Sequence, residues 1–379
     1  MDSNSIFKNN NREKSYQDLL EKSRGEKVFY DADMNAWIVF GYNECRQALE
    51  SSFLSKKRIE IPINILGEAK KEQVKIFLDI LNTSMIFGSE INKDQRRYWK
   101  DFLFKNLAYC CEKSLDHVAG HLSFNHQFNI AETITYPYNS YCISQLFSLS
   151  EQQTGYLLPL ARKYAWLLDG KIESKEAFSE TVDATLLAYD FFSKNHQTWK
   201  NDFAVYDEKN LIADLLLVYS AAQDTTAHLI NKCIFELANQ PNVLADLKTQ
   251  QIKVKQIIME CLRLLSPITA IGRTCQTDIL INKTALRKGE RLLLYVGYAN
   301  YDKKFFEDPF NFNLNNLASP PLSFGHGEGK CIGMQVALTL SEQFLTWFAS
   351  NVNNIKIQKT EYSIGTAAYG IDKLTCVLE

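Results

Sequence analysis

Residues 324–333 read Phe-Gly-His-Gly-Glu-Gly-Lys-Cys-Ile-Gly, with glycine at every second place until Cys331, and an amphipathic stretch follows. Glycine reaches backbone conformations closed to other residues and lets a flat ligand lie against the main chain. A cysteine at the start of a helix meets unpaired amides and the positive end of the helix dipole, which lower a thiol's pKa. The segment therefore describes a loop built to present Cys331 as a thiolate. It is not a phosphate-binding loop, because Phe324 stands where the first glycine is needed and Cys331 replaces the magnesium-binding hydroxyl. No Cys-x-x-Cys accompanies it, so it lacks the ligand spacing of a zinc site. An ordinary buried cysteine would leave the glycines without a purpose.

Residues 208–239 predict one helix of about thirty residues, ~45 Å long, enough to cross a whole domain. Its middle, residues 215–222, is apolar nearly all round and is expected to be buried on every side. Into that rod the sequence places Gln223-Asp224-Thr225-Thr226. Burying a carboxylate without a partner is costly, so Asp224 is expected to have a task. The bland alternative is that the threonines bond back to helix carbonyls and Asp224 meets a buried basic residue. Glu260 and Arg263 lie three apart, a common helix-face spacing that says little by itself.

Taken together, these segments resemble the cytochrome P450 family. Phe324, Gly325, Gly327, Cys331 and Gly333 stand in register with its Phe-x-x-Gly-x-x-x-Cys-x-Gly haem loop. Residues 221–226, Ala-Ala-Gln-Asp-Thr-Thr, resemble its oxygen-binding Ala-Gly-x-Asp/Glu-Thr-Thr, and Glu260 with Arg263 resembles its Glu-x-x-Arg pair. Ala-Asn-Tyr-Asp at 299–302 and Phe-Phe-Glu-Asp-Pro at 305–309 resemble two further stretches. The matches run from Trp37 to the C-terminal residues.

The resemblance implies a mainly α fold with minor β, one domain over residues 1–379, with 1–14 disordered. Haem b would lie between the long helix and the cysteine loop. Cys331 would be the axial iron ligand, a position where thiolate favours O–O cleavage. Phe324, Gly325, Gly327, Gly333, Ala221 and Ala222 would border the haem, and Asp224 with Thr225 would relay protons. Arg273 would bind a propionate, for which guanidinium is well shaped. Lys93 and Arg97 would supply a second pair of propionate ligands where the family has His-x-x-x-Arg. Without the resemblance, that cluster, with Arg96 and Lys100, reads as a solvated face.

Three departures stand out. Gly329 replaces the charged or polar propionate partner two places before the cysteine, Asn316 replaces an arginine that joins Glu260 and Arg263, and Ala222 replaces a kink glycine. The span between Phe192 and Glu208 is also short, implying trimmed helices.

Elsewhere the spacing predicts strands around residues 37–40, helices at 72–81, 93–107 and 180–192, a strand hairpin turning at Gly289 within 278–298, and a hairpin at 355–378. His117 and His121, four apart, read as helix-face residues, since Val118 stands where the metalloprotease pattern needs glutamate. The chain has 379 residues and a net charge of −2, which excludes nucleic acid as main partner. Its cysteines have no regular spacing, and the polar start shows no secretion signal, so a soluble cytoplasmic protein without a membrane anchor is expected.

The expected function is a haem-thiolate monooxygenase that draws electrons from a separate ferredoxin and ferredoxin reductase. Its substrate would be a medium-sized, mostly apolar molecule of secondary metabolism, free or bound to a carrier protein. By resemblance the pocket is lined by Ala221, Ala222 and residues 268–271, 366–368 and 61–87. The alternatives are a peroxide-using or rearranging enzyme, and a catalytically silent domain that recruits a carrier protein.

Overall fold

The computed structural model describes residues 6, 11–56, 61–88, 93–204, 206–316 and 318–379. Its axis is the helix Glu208–Asn239, 32 residues long. Asp207 caps it by accepting from the Asn210 amide at 3.1 Å. It ends at Gln240, and Pro241 opens the next helix, Pro241–Lys248. Every residue from Leu211 to Ser220 is buried. The helices Tyr136–Leu146, Glu151–Asp169, Lys175–Asn195, Val254–Leu264 and Met334–Asn351 pack round it. Burying each large apolar side chain there contributes roughly 1.5–3 kcal/mol, so the rod is held by its neighbours more than by helix propensity.

The strands are β1 (Val28–Asp31), β2 (Ala36–Val39), β3 (Leu54–Ser55), β4 (Phe128–Asn129), β5 (Ile271–Cys275), β6 (Ile279–Ile281), β7 (Thr284–Leu286), β8 (Arg291–Leu294), β9 (Ile355–Ile364) and β10 (Tyr369–Leu378). One sheet has the order β1-β2-β8-β5-β3, a second β4-β10-β9, and β6 pairs with β7 alone. Only β2 and β8 run parallel among these ladders. A mainly helical fold with minor β is what the resemblance implied.

Local differences have clear causes. β6 forms its hairpin with β7, through Asn282 at φ 53°, and not with the strand after Gly289. Gly289, at φ 89°, instead turns the chain into β8, which β2 and β5 hold on either side. The helix predicted at 93–107 breaks after Phe104, and a second helix runs Leu107–Ala119. Of the stretch expected to be disordered, residues 1–5 and 7–10 lie outside the described residues. Ile6 is buried, and Asn11 caps a helix at Arg12–Lys22 that includes Glu13 and Lys14. After Phe192 the helix Lys175–Asn195 ends, and among the described residues before the central helix one 3-10 turn, His196–Thr198, follows it. The His117 ring stacks on Tyr141 at 4.3 Å, as a helix-face residue does.

Candidate active site

Eight of the nine cysteines are buried, and Cys331 is the exposed one. Gly325 and Gly327 have φ of 72° and 67°, the left-handed region where side chains are strained. These turns fold the loop back so that the Cys331 amide donates to the Phe324 carbonyl at 2.8 Å. A Cβ on Gly333 would stand 3.9 Å from the Cys331 sulfur, ordinary contact distance. The following helix starts at Met334, so the cysteine precedes it instead of opening it. Although Cys331 is exposed as a residue, the surrounding protein crowds its sulfur, and that loss of water pushes the thiol up. The Gly333 amide, Arg96, the Met334 amide and Lys330 pull the other way without prevailing. The lowering expected from the helix end is thus present but outweighed.

The loop stands on a buried ion pair. Arg263 Nε reaches Glu260 Oε2 at 2.8 Å and Nη2 reaches Oε1 at 2.7 Å, both side chains being almost fully buried. Arg263 also donates to the carbonyls of Asn300, Pro309 and Asn311, and Glu260 accepts from the Asn313 amide. The Asn300 side chain then holds Leu322 and Ser323, and the Ser323 hydroxyl bonds Leu262 O at 2.6 Å. This ties the helix Val254–Leu264 to the segment leading into Phe324. Asn316 makes no charged contact here. Its amide clamps Glu307 on both sides, at 2.8 and 2.9 Å, so main-chain groups complete the knot where the family uses a third side chain.

Three cations converge near the cysteine. Arg273, buried on β5, and Arg96, from the helix Lys93–Phe104, both act on Lys56, which follows β3. Burial and these two charges together push the Lys56 ammonium down to about 8. Arg96 donates to the Lys330 carbonyl and is close enough to interact with Cys331. Of the cations read from the sequence, Arg273 belongs to this group, whereas Lys93 and Arg97 do not. Arg97 is exposed and pairs with Asp94 at 3.6 Å, and Lys93 is exposed and pairs with Glu328 at 2.8 Å. The basic helix turns by one residue relative to that reading, which puts Arg96 inward. Lys56 lay beyond any motif, and its only sequence signal is its place beside the strand that pairs with Arg273's.

On the central helix, the Thr225 hydroxyl donates to Ala221 O at 3.0 Å. Asp224 is not sealed from water: its side chain is 23% exposed and accepts from Arg162 Nε at 3.1 Å. The geometry comes close to the bland alternative, with Thr225 bonding back and Asp224 paired, although the Arg162 side chain is 37% exposed and not the buried partner expected. At the missing kink glycine, Asn139 donates to the carbonyls of Ala222 and Gln223. Ala222, Phe324, Ile332 and Met334 border the same apolar core.

A thiolate-ligated haem takes a soft sulfur donor, cations at its two carboxylates and apolar surroundings. Cys331, the group of Arg96, Arg273 and Lys56, and the Ala222–Phe324 surroundings fit those needs.

The comparisons agree with that fit. Residues 83–353 match the family model "Cytochrome P450". The chain is 24% identical over 325 residues to "Biotin biosynthesis cytochrome P450" of Bacillus subtilis (strain 168), covering 79% of each. A shorter match, 34% over 151 residues, is to "Beta-dihydromenaquinone-9 omega-hydroxylase" of Mycobacterium tuberculosis (strain ATCC 25618 / H37Rv), covering 40% of this chain and 30% of that one. Among solved structures, P450BioI in complex with hexadec-9Z-enoic acid ligated acyl carrier protein shares the fold at a TM-score of 0.82, with 21% identity, covering 97% of this chain and 98% of that one. CalO2 gives a TM-score of 0.82 at 17% identity, covering 97% and 96%. In the described residues no helix is long and apolar enough to cross a membrane. The chain belongs to the cytochrome P450 family and is a haem-dependent monooxygenase.

Proposed function

We propose that this monooxygenase places one oxygen atom from dioxygen into a medium-sized, mostly apolar organic substrate of secondary metabolism, in the cytoplasm, with haem b as cofactor. Electrons come from a separate ferredoxin and ferredoxin reductase. The observation that carries the reading is the single exposed cysteine, held in a glycine-turned loop beside a cluster of cations.

The bound haem supplies the activation of dioxygen and the oxidation of substrate. Cys331 Sγ would hold its iron, and Arg273 with Arg96 would hold its propionates, Lys93 and Arg97 standing outside that set. Phe324, Gly325, Gly327 and Gly333 would border one side, and Ala221 with Ala222 the other. Asp224, partly open to water, would stand at the solvent end of a proton relay, with Arg162 holding its carboxylate in place. Thr225 gives its own hydrogen to Ala221 O, which leaves its oxygen free to accept one from a neighbour.

Two of the segments proposed to line the pocket, 268–271 and 366–368, lie side by side, which supports that reading. Ile268 bridges Ala368, and the Thr269 amide donates to Ala367 O at 2.8 Å. Their surface is apolar with a few hydroxyls. The carrier-bound fatty acid of the P450BioI complex supports an acyl chain, delivered free or on a carrier, as the first substrate class to try. The test is turnover of the reconstituted holoprotein under ¹⁸O₂ with long-chain fatty acids and their acyl-carrier thioesters. Product with one labelled oxygen is expected; oxidation without label would overturn the monooxygenation.

A further inference from the structure

Lys56 is a lysine held among positive charges. Leu54 pairs with Cys275 and Ser55 with Thr274 across the antiparallel β3–β5 ladder, so the next step of that register brings Lys56 beside Arg273. Cross-strand neighbours share a sheet face, and like charges placed so repel. Arg96 approaches the same ammonium from a separate helix. A surface lysine in such company would extend its flexible stem into water. Lys56 instead stays partly buried, and no hydrogen bond or ion pair joins its ammonium to another described residue. Three segments distant in sequence thus bring cations to one place beside the cysteine loop. That loop lacks a polar side chain of its own at Gly329.

We infer that Lys56 is a propionate-holding residue of this chain, supplying from the end of β3 the contact that Gly329 cannot make. The inference rests on the haem reading above. Positive charges that repel one another in the empty protein become favourable when an anion is added, so the cluster stores its complementarity for the ligand. Charge-assisted hydrogen bonds are the stronger kind, and their loss is felt.

The experiment compares wild type, Lys56→Met and Lys56→Arg. Each is loaded with haem, and haem transfer to excess apomyoglobin is followed; thermal unfolding of each apoprotein is measured alongside. Lys56→Met should lose haem about ten-fold faster or more, Lys56→Arg should stay near wild type, and the Met apoprotein should melt no lower than wild type because a repulsion has gone. Unchanged haem transfer in Lys56→Met would overturn the inference. So would accelerated loss in both variants, or loss accompanied by an equal fall in apoprotein melting temperature, which would make Lys56 merely structural. A wild-type protein that takes up no haem would instead refute the haem reading itself.

Discussion

Arg96 and Arg97 are adjacent, and only the first reaches the cysteine loop. The spacing of basic residues on that helix was legible in the sequence, but its phase was not, because a one-residue shift turns the face by about 100°. The turns at Gly325 and Gly327 were legible because the glycines answer a local conformational demand. Lys56 and Asn139 were not, since both matter only through partners far away in sequence. The residue-level account makes a discriminating prediction: Arg273→Ala should purify largely as apoprotein, whereas Arg97→Ala should keep its haem, as read from haem content after purification. Equal losses in the two would restore Arg97 to the site. Thr225→Ala should leave haem and substrate binding unchanged while sending a larger share of reducing equivalents to hydrogen peroxide. Unchanged coupling of NADPH consumption to product would show that Thr225 only bonds back to its helix.

At the scale of elements, the central helix was found from its apolar run, and its 32-residue span needed no motif. What its sequence hid was how neighbours use its polar residues. Asp214, fully buried in the rod, accepts from the Met85 amide at 2.6 Å and from Tyr206, and Trp99 donates to the same tyrosine at 3.2 Å. It thereby pins the segment just ahead of the helix that carries Arg96. Burial pushes this carboxyl up to about 7, against the two hydrogen bonds that pull it down. Its folded value is above the unfolded one of about 4, so the folded state binds more protons between those limits. Stability should therefore fall as pH rises from about 4 to about 7, then level off. In Asp214→Asn that component of the slope should vanish, giving a flatter plot of melting temperature against pH. The same slope in both proteins would mean that Asp214 does not titrate there. The knot of Glu260 and Arg263 was legible as a pair, but the main-chain carbonyls that surround Arg263 were not, because they come from segments 37 and more residues away.

Over the whole molecule, the net charge of −2 conceals local asymmetry. Lys303, Lys304, Arg97 and Lys100 are exposed, and Lys330 lies in the cysteine loop itself. If they share one face with that loop, these charges would steer an acidic electron donor at a rate sensitive to salt. First-electron transfer from ferredoxin should slow steeply with ionic strength and slow further in Lys330→Glu; insensitivity to both would put the docking face elsewhere. The turned glycines and the cations would all serve one bond, between Cys331 and iron. The most direct measurement is the absorption spectrum of the haem-loaded, reduced, carbon-monoxide-treated protein beside Cys331→Ser. The account predicts the strongly red-shifted Soret band of thiolate ligation in the wild type and its disappearance in the variant. The same band surviving in Cys331→Ser would contradict it.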